Sequence, residues 1–557
     1  MSSALLKTIH VATIAMWLLL GISSATEAQQ SLPTISIGGI KKTIAHANRN
    51  NSKNLNLKQS NLTRQQNQQT IGQDVKSSQQ LTEQRLNFLL PKTGTNVYAF
   101  NREAIDSLPQ GNQALITQIL LQSPGVTQDS AVGGNFHIRN EHGNVQYRIN
   151  GIMLPDGAAG FSQFLETGFI GSASLITGAL PAQYGLRTAG IVDIISRSEP
   201  PSTNGNITIY GGSRSTGQTT YEYTKKIDKW NLFTSGRATT NNLGIQNTTP
   251  SPDAIHDRTW QGKSFSYLDY AIDNNNKFSF INGSSIDNYQ IPATPGQIPQ
   301  YSLYGNTYFN SANMNENQYE RNFFNVAALS HQSDKLTAQI SLFSRYSSVY
   351  YKPDDYGDLI FNGVASDITR NSLSNGAQGD FAYKLHERNI IRSGFIGYSE
   401  NTKVINSSLL FPINAEGNPV DTPYNVYDPS NKQGFVGGGY LQNELKATDK
   451  LTIISGLRYD QMWQYIKRNQ LSPRFSISYK PSEDIIFHAA YARYFTPPSQ
   501  VLAAPSNLIL FMNTTQEPTI NLSTPVLAER SNYLDIGVEK FLTHELNVGI
   551  DFYYKRA

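Results

Sequence analysis

His137 and His142, four arginines and a group of loop tyrosines are the residues of this chain with chemistry to offer a site. Imidazoles ligate metals, but positions five apart on an extended strand point to opposite faces, and no carboxylate cluster joins these two. Neither a metal nor a cofactor is expected. Leu90-Pro91-Lys92-Thr93-Gly94 spells a sortase signal. Such a signal belongs near a C-terminus ahead of an apolar tail, and this one precedes a folded domain. The chain has no cysteine, which excludes disulfides, thiolate metal sites, cysteine nucleophiles and thioether-linked haem. It has no Ser-His-Asp constellation, phosphate loop or zinc spacing, so it is not read as an enzyme. Arg345, Arg458, Arg474 and Arg493 are placed to line a lumen, where salt bridges between a barrel wall and an enclosed domain are the expected role. Tyr301, Tyr304 and Tyr308, with Tyr289 and Phe309, are weak candidates for stacking on a flat ligand. Loop packing is the blander use of the same rings.

These residues need elements to position them, and the pattern of the chain supplies one kind above all. From about Asn206 to the last residue, stretches of roughly ten residues alternate apolar with polar and are separated by turns. In Leu546 to Lys555, the residues Leu546, Val548, Ile550, Phe552 and Tyr554 share one face. Leu336, Ala338, Ile340 and Leu342 likewise oppose Thr337, Gln339 and Ser341. Soluble strands are shorter, about 5–6 residues; a strand this long with one apolar face suits a barrel with lipid outside and water inside. About 15 such strands follow residue 200. Short turns at 227–229, 274–277, 333–335, 386–389, 449–450, 482–484 and 543–544 alternate with loops at about 242–261, 287–320, 351–372, 401–433 and 495–529. Short turns on one rim and long loops on the other are the membrane-barrel rule. Tyr346, Tyr350, Tyr459 and Tyr494 lie near strand ends, where interfacial girdles belong. The 45 Lys+Arg nearly balance the 42 Asp+Glu, leaving no field suited to nucleic acid.

Ahead of the strands, residues 1–28 read as a signal peptide, with Lys7, an apolar run from Ile9 to Ile22 and small residues at Ser23, Ala25 and Ala28. That run is short of the roughly 20 residues that span a bilayer, and no later run is longer. A membrane protein without a spanning helix must be a barrel. Residues 29–90 are rich in Asn and Gln and poor in core formers, and are read as a disordered or loosely ordered extension. Residues 91–199 read as a compact α+β domain. Its helix carries Leu115, Ile116, Ile119 and Leu120 and is stopped by Pro124-Gly125. Short strands follow around Phe136–Arg139, Gln146–Ile149, Ala173–Thr177 and Gly190–Ser196. Residues 200–557 form the barrel.

Several motifs within 91–557 together resemble the TonB-dependent outer-membrane receptor family, in which an N-terminal plug fills a 22-stranded barrel. Pro124-Gly125 is similar to that family's helix-ending pair. Phe136-His137-Ile138-Arg139-Asn140 resembles its "IRG" strand, with Asn140 in place of glycine. Tyr147-Arg148-Ile149-Asn150-Gly151 resembles its "DG" hairpin; both residue types tolerate the turn. Ile176 to Gly185, including Gly178 and Tyr184, continues through Gly190 to Ile194 as the longest match, and Leu471 to Phe475 with Tyr494 to Pro498 match two barrel strand borders. The resemblance implies a protein of the Gram-negative outer membrane that imports a scarce, large solute, a ferric siderophore or similar small molecule or metal complex. Its implied partners are the TonB motor complex of the inner membrane, the barrel-assembly machinery, and outer-membrane lipid with lipopolysaccharide. The motor pairs with a short extended box by strand addition, for which Ile35-Ser36-Ile37 is the candidate. No "FRAP" sequence of the haem-receptor type is present. The alternatives are a passive barrel or adhesin, which would not need the enclosed domain, and a truncated receptor remnant. The last follows from parity: strand fifteen ends at the outer rim, whereas bacterial barrels have even strand numbers. About seven strands of the 22-stranded type are therefore expected to be missing.

Overall fold

The computed structural model describes residues 82–557 apart from short stretches, of which 129–135 and 198–203 are the longest. The candidate box Ile35-Ser36-Ile37 and the 1–28 segment lie outside the described residues. The largest element is a fifteen-stranded antiparallel sheet in which each strand pairs with its sequence neighbours. Its strands are β9 (Asn204–Gly212), β10 (Thr216–Ile227), β11 (Trp230–Asn241), β12 (Thr259–Ala271), β13 (Asn276–Gln290), β14 (Asn317–Gln332), β15 (Leu336–Lys352) and β16 (Val364–His386). β17 (Asn389–Leu410), β18 (Tyr424–Lys446), β19 (Leu451–Trp463), β20 (Lys467–Ser482), β21 (Ile485–Thr496), β22 (Glu529–Phe541) and β23 (Asn547–Arg556) complete it. Among the described residues β9 and β23 each pair on one side only. No described helix is long and apolar enough to cross a membrane.

Strand chemistry sets the two faces. On β15 Ile340 and Leu342 are 45% and 63% exposed on the lipid side, while Ser341 between them and the alternate residues Thr337 and Gln339 are buried on the lumen side. A one-residue slip would exchange those faces, so the apolar alternation fixes the register. β16, β17 and β18 run for 22 or 23 residues, about twice the 9–11 needed to cross the bilayer. The excess projects beyond the outer rim. The 401–433 loop expected from sequence is therefore mostly strand, and the true connection is only 411–423. The 351–372 loop likewise contains a helix, Asp355–Asn362, capped by Asp354 and ended by Gly363 at φ 72°.

Inside the sheet lies the smaller domain. β1 (Asn96–Phe100), β7 (Ile170–Thr177), β8 (Gly190–Ser196), β5 (Val145–Ile149) and β6 (Ile152–Met153) form a mixed sheet in that order, with β5 and β8 parallel. β2 (Val126–Gln128), β3 (Phe136–Ile138) and β4 (Glu141–His142) make a second, three-stranded sheet. One apolar cluster joins this domain to the wall: Ile119, Leu120, Phe169 and Val192 pack with Phe233, Phe265, Phe324 and Phe343. Phe169 stacks on Phe265 at 3.7 Å.

Three further sequence expectations need correction. Residues 82–89, assigned to a loosely ordered extension, form a helix whose Leu86 and Leu89, with Leu90, are buried, packing partly against Ala382. The i, i+3 apolar spacing that signals such a helix is hidden in an Asn/Gln-rich composition. His137 and His142 do not lie on one strand. Arg139 and Asn140 both adopt positive φ (49° and 65°), the type I′ hairpin signature, and the ladder sets His137 opposite His142. Tyr494 is not a girdle residue. It is 1% exposed and faces the plug, whereas Tyr459 does face outward.

Candidate functional site

The chemistry of the molecule is concentrated where plug meets wall. The plug presents backbone carbonyls to the wall, and the wall answers with long polar side chains. The β5–β6 hairpin turns at Asn150 (φ 51°) and Gly151 (φ 81°). Asn150 is fixed from within: Ser196 N donates to its Oδ1 at 2.9 Å, and its Nδ2 donates to Ser196 Oγ at 2.9 Å. From the wall, Gln339 Nε2 donates to Asn150 O and Gln378 Nε2 to Gly151 O, each at 3.0 Å. A second plug segment, 178–185, is held in the same way. Tyr494 Oη donates to Gly178 O at 2.9 Å and accepts from Leu180 N at 2.7 Å. Arg474 donates to Leu180 O at 2.8 Å, and Arg458 to Ala182 O at 3.3 Å. Gly185 is required here, because a Cβ on it would clash with the Arg458 guanidinium. Tyr184 is buried beneath Arg148, whose guanidinium carbon lies 4.8 Å from its ring centre.

The lumen arginines thus act differently from the expected salt bridges. Arg345, Arg458 and Arg474 donate to plug carbonyls, at Pro155, Ala182 and Leu180. The acid that neutralises Arg458 is Asp460, two residues along the same strand. Arg493 is exposed on the outer face of β21 and lines no lumen. An ion pair between plug and wall does occur at Arg139, which meets Asp535 at 3.0 Å and donates to Tyr533 Oη at 3.0 Å. His488 lies 3.0 Å from Asp535 and 3.2 Å from Asp551 in the same cluster. Of the remaining plug-motif residues, Gly125 (φ 71°) follows Pro124 after the helix and its carbonyl accepts from Arg139 N. Gly190 opens β8 where a Cβ would press on Ile138 at 2.8 Å. In the sortase-like motif, Lys92 pairs with Asp193 at 3.0 Å and Pro91 O accepts from Gln183.

The plug's outer apex borders a small cavity. Asp156 and Arg187 pair there, and Arg187 also donates to Pro497 O in the 497–528 loop. Tyr398 and Glu400 of β17 line the same small cavity. The 155–161 segment is tethered by Glu320, which accepts from Phe161 N at 2.6 Å and from Gln318 at 2.7 Å. Replacing Glu320 with Ala strands the buried Gln318 donor and the part-buried Phe161 N–H, at about 1–3 kcal/mol. Limited proteolysis is expected to cut within 155–161 faster in that variant than in the parent.

The outer loops pack on one another. Ala293, Leu303, Met314, Leu359, Ile360 and Phe411 are buried together. Tyr301 stacks on Phe411 at 5.8 Å, a packing role. Tyr304 and Tyr308 are 69% and 76% exposed, so the structure does not gather the tyrosine candidates into one site. The 497–528 loop reaches across to this cap: Ile413 N donates to Asn513 O, and Thr515 N to Phe411 O, each at 2.9 Å. Within the cap, burial and then the neighbouring Glu316 carboxylate push Asp358 up to about 8. A carboxyl raised in the fold holds a proton that the unfolded loop releases near its ordinary value. Cap stability therefore falls as pH rises from about 4 through 8. Asp358→Asn is expected to flatten that dependence, read as hydrogen exchange at the Ile360 and Phe361 amides.

A long-stranded sheet with lipid-type outer faces, enclosing a domain gripped through its carbonyls, defines a plugged outer-membrane barrel. A family model, TonB dependent receptor-like beta-barrel, matches residues 248–557, more than half of the chain, and the chain belongs to that family. It is a protein of the Gram-negative outer membrane. Comparison with curated protein sequences finds no match. Among solved structures it is similar to FpvA of P. aeruginosa bound to heterologous pyoverdines (TM-score 0.60, 13% identity, 84% of this chain and 63% of that one). It is also similar to the ferric yersiniabactin uptake receptor FyuA from Yersinia pestis (0.60, 13%, 83% and 72%). The ferric enterobactin receptor PfeA from Pseudomonas aeruginosa is a third (0.60, 16%, 85% and 72%). At such identities the likeness is one of fold, and the chain spans less than two thirds of FpvA's length.

Proposed function

We propose that this chain is the plug and part of the barrel of an energised importer, carrying a scarce, large solute such as a ferric siderophore into the periplasm. The observation that carries the reading is the grip on the plug. Gln339, Gln378, Tyr494, Arg458 and Arg474 hold it through hydrogen bonds to main-chain carbonyls. Each such bond is worth only about 0.5–3 kcal/mol and is replaceable by water, so the plug is held firmly at rest yet yields to a pull. Ile35-Ser36-Ile37 is the proposed contact for the TonB motor, by strand addition. The barrel-assembly machinery and outer-membrane lipid are the further proposed partners, since a membrane-spanning sheet must close in lipid. The ferric-siderophore receptors of similar fold support the solute class. The exposed Tyr304 and Tyr308 are the tyrosines left available for ligand contact.

Energised import is tested by iron uptake from ferric chelates in cells carrying the receptor. Collapse of the proton gradient is expected to reduce uptake to the level of cells lacking it. Uptake that survives collapse would favour a passive barrel.

A further inference from the structure

We propose that the solute carries no net negative charge and presents an apolar face, and that it is met first in a groove between β18 and the 497–528 loop. The proposal rests on the import reading and narrows its substrate class. Its first support is the charge of the outer rim. The connections 213–215, 242–258, 291–316, 353–363, 411–423, 464–466 and 497–528 contain two bases, Arg214 and Arg258, against nine carboxylates. The opposite rim, made of turns of five residues or fewer, keeps four bases beside its eight acids. Protonation of Asp358 removes one charge from the outer rim at neutral pH; the excess of acids over bases stays large. The outer parts of β16, β17 and β18 add Arg370, Lys403 and Lys432 against Asp367 and Asp428, so the rim stays net negative, and a rim of this kind repels like-charged solutes and concentrates opposite ones.

The second support is the groove itself. It is open, encloses about 900 Å³, and is walled by Tyr427, Pro429, Pro505, Ile509, Leu510 and Met512 among others. Ile509 is 81% exposed. Exposed apolar side chains gathered around a concavity mark a binding surface. The charged residue in its lining is Asp428, whose Oδ2 accepts from Asn507 N at 3.0 Å. The adjoining 411–423 and 497–528 loops contain Glu416, Asp421 and Glu517 and no lysine or arginine. Bases resume on the strands, as at Lys432, whose ammonium lies 5.7 Å from the Tyr465 ring centre. Deeper in, Arg187 is occupied by Asp156 and Pro497, and Arg345 by Pro155 and Asn322. An anionic chelate is normally held by arginine forks, and the entry groove supplies none.

The chain has no cysteine, so a nitroxide on Ser506→Cys reports this groove alone. In outer-membrane vesicles at low salt, a cationic paramagnetic complex is expected to collide with the label several-fold more often than an anionic one. The gap should close near 1 M salt, where the screening length is about 3 Å, and narrow in Glu416→Lys. Equal or anion-favoured collisions at low salt would overturn the proposal. Binding in the same vesicles supplies the second arm, with three probes: a trianionic ferric tris-catecholate, a neutral ferric trihydroxamate and that trihydroxamate bearing a free ammonium. Tighter binding of the neutral and cationic chelates supports the proposal. Their failure to bind, or tighter binding of the anion, overturns it. Neither readout needs a proton gradient, so failure of energised import would appear separately, as gradient-independent uptake with the charge order intact.

Discussion

Arg458→Met is expected to destabilise the folded receptor by about 3–5 kcal/mol, the cost of leaving a buried partner charge uncompensated. Arg458 and Asp460 have side chains 3% and 1% exposed and meet at 2.7 Å. The guanidinium Nε donates to both carboxylate oxygens, at 2.8 and 3.0 Å. Its remaining reach goes to Ala182 O in the plug. Methionine fills the volume beside Gly185 but strands the Asp460 charge and one plug carbonyl. The urea midpoint of the receptor in lipid should fall, and segment 181–185 should open to protease. In Arg458→Met with Asp460→Leu the loss should largely disappear, because an apolar pair of similar volume replaces a buried ion pair at little cost. A single variant within about 0.5 kcal/mol of the parent would mean that this pair does not hold the wall and plug as described.

What the sequence discloses, and what it conceals, follows from which contrast each residue reports. Ile340 and Leu342 against Gln339 and Ser341 disclose lipid against lumen, because the bilayer imposes a period of two on every strand that crosses it. The number and direction of strands follow directly. Beyond the bilayer that contrast vanishes, which is why the outer halves of β17 and β18 read as loop: Val404 to Leu410 carries no lipid-against-lumen alternation, and pairing with 364–370 on one side and 424–430 on the other makes it strand. Tyr494 and Tyr459 are the same residue type near rims, and composition cannot tell a girdle ring from one that donates to Gly178 O. The hairpin motif at Asn150-Gly151 anticipates the turn found there. That Gln339 and Gln378 would reach for the carbonyls of that hairpin has no local signal, since a lumen-facing glutamine suits a water-filled pore equally well. The placement of His137 opposite His142 depends on two residues, Arg139 and Asn140, adopting a backbone that only the second favours.

The central claim is that the plug must part from the wall for a solute to pass. Ala182 of the plug and Gly456 of β19 offer a direct lock. A Cβ on Gly456 would stand 2.8 Å from the Cβ of Ala182, slightly inside the roughly 3.5–4.5 Å between bridged cysteines. A small outward shift therefore lets Ala182→Cys and Gly456→Cys join, and the cysteine-free chain offers no competing thiol. The bond replaces yielding hydrogen bonds between these segments with one that the pull of the proposed motor would not break. The decisive measurement is iron uptake by cells carrying this double variant, before and after reduction. With the disulfide formed, uptake is expected to fall to the level seen when the proton gradient is collapsed, and a reductant should restore it. Full uptake with plug and wall still joined would contradict the account.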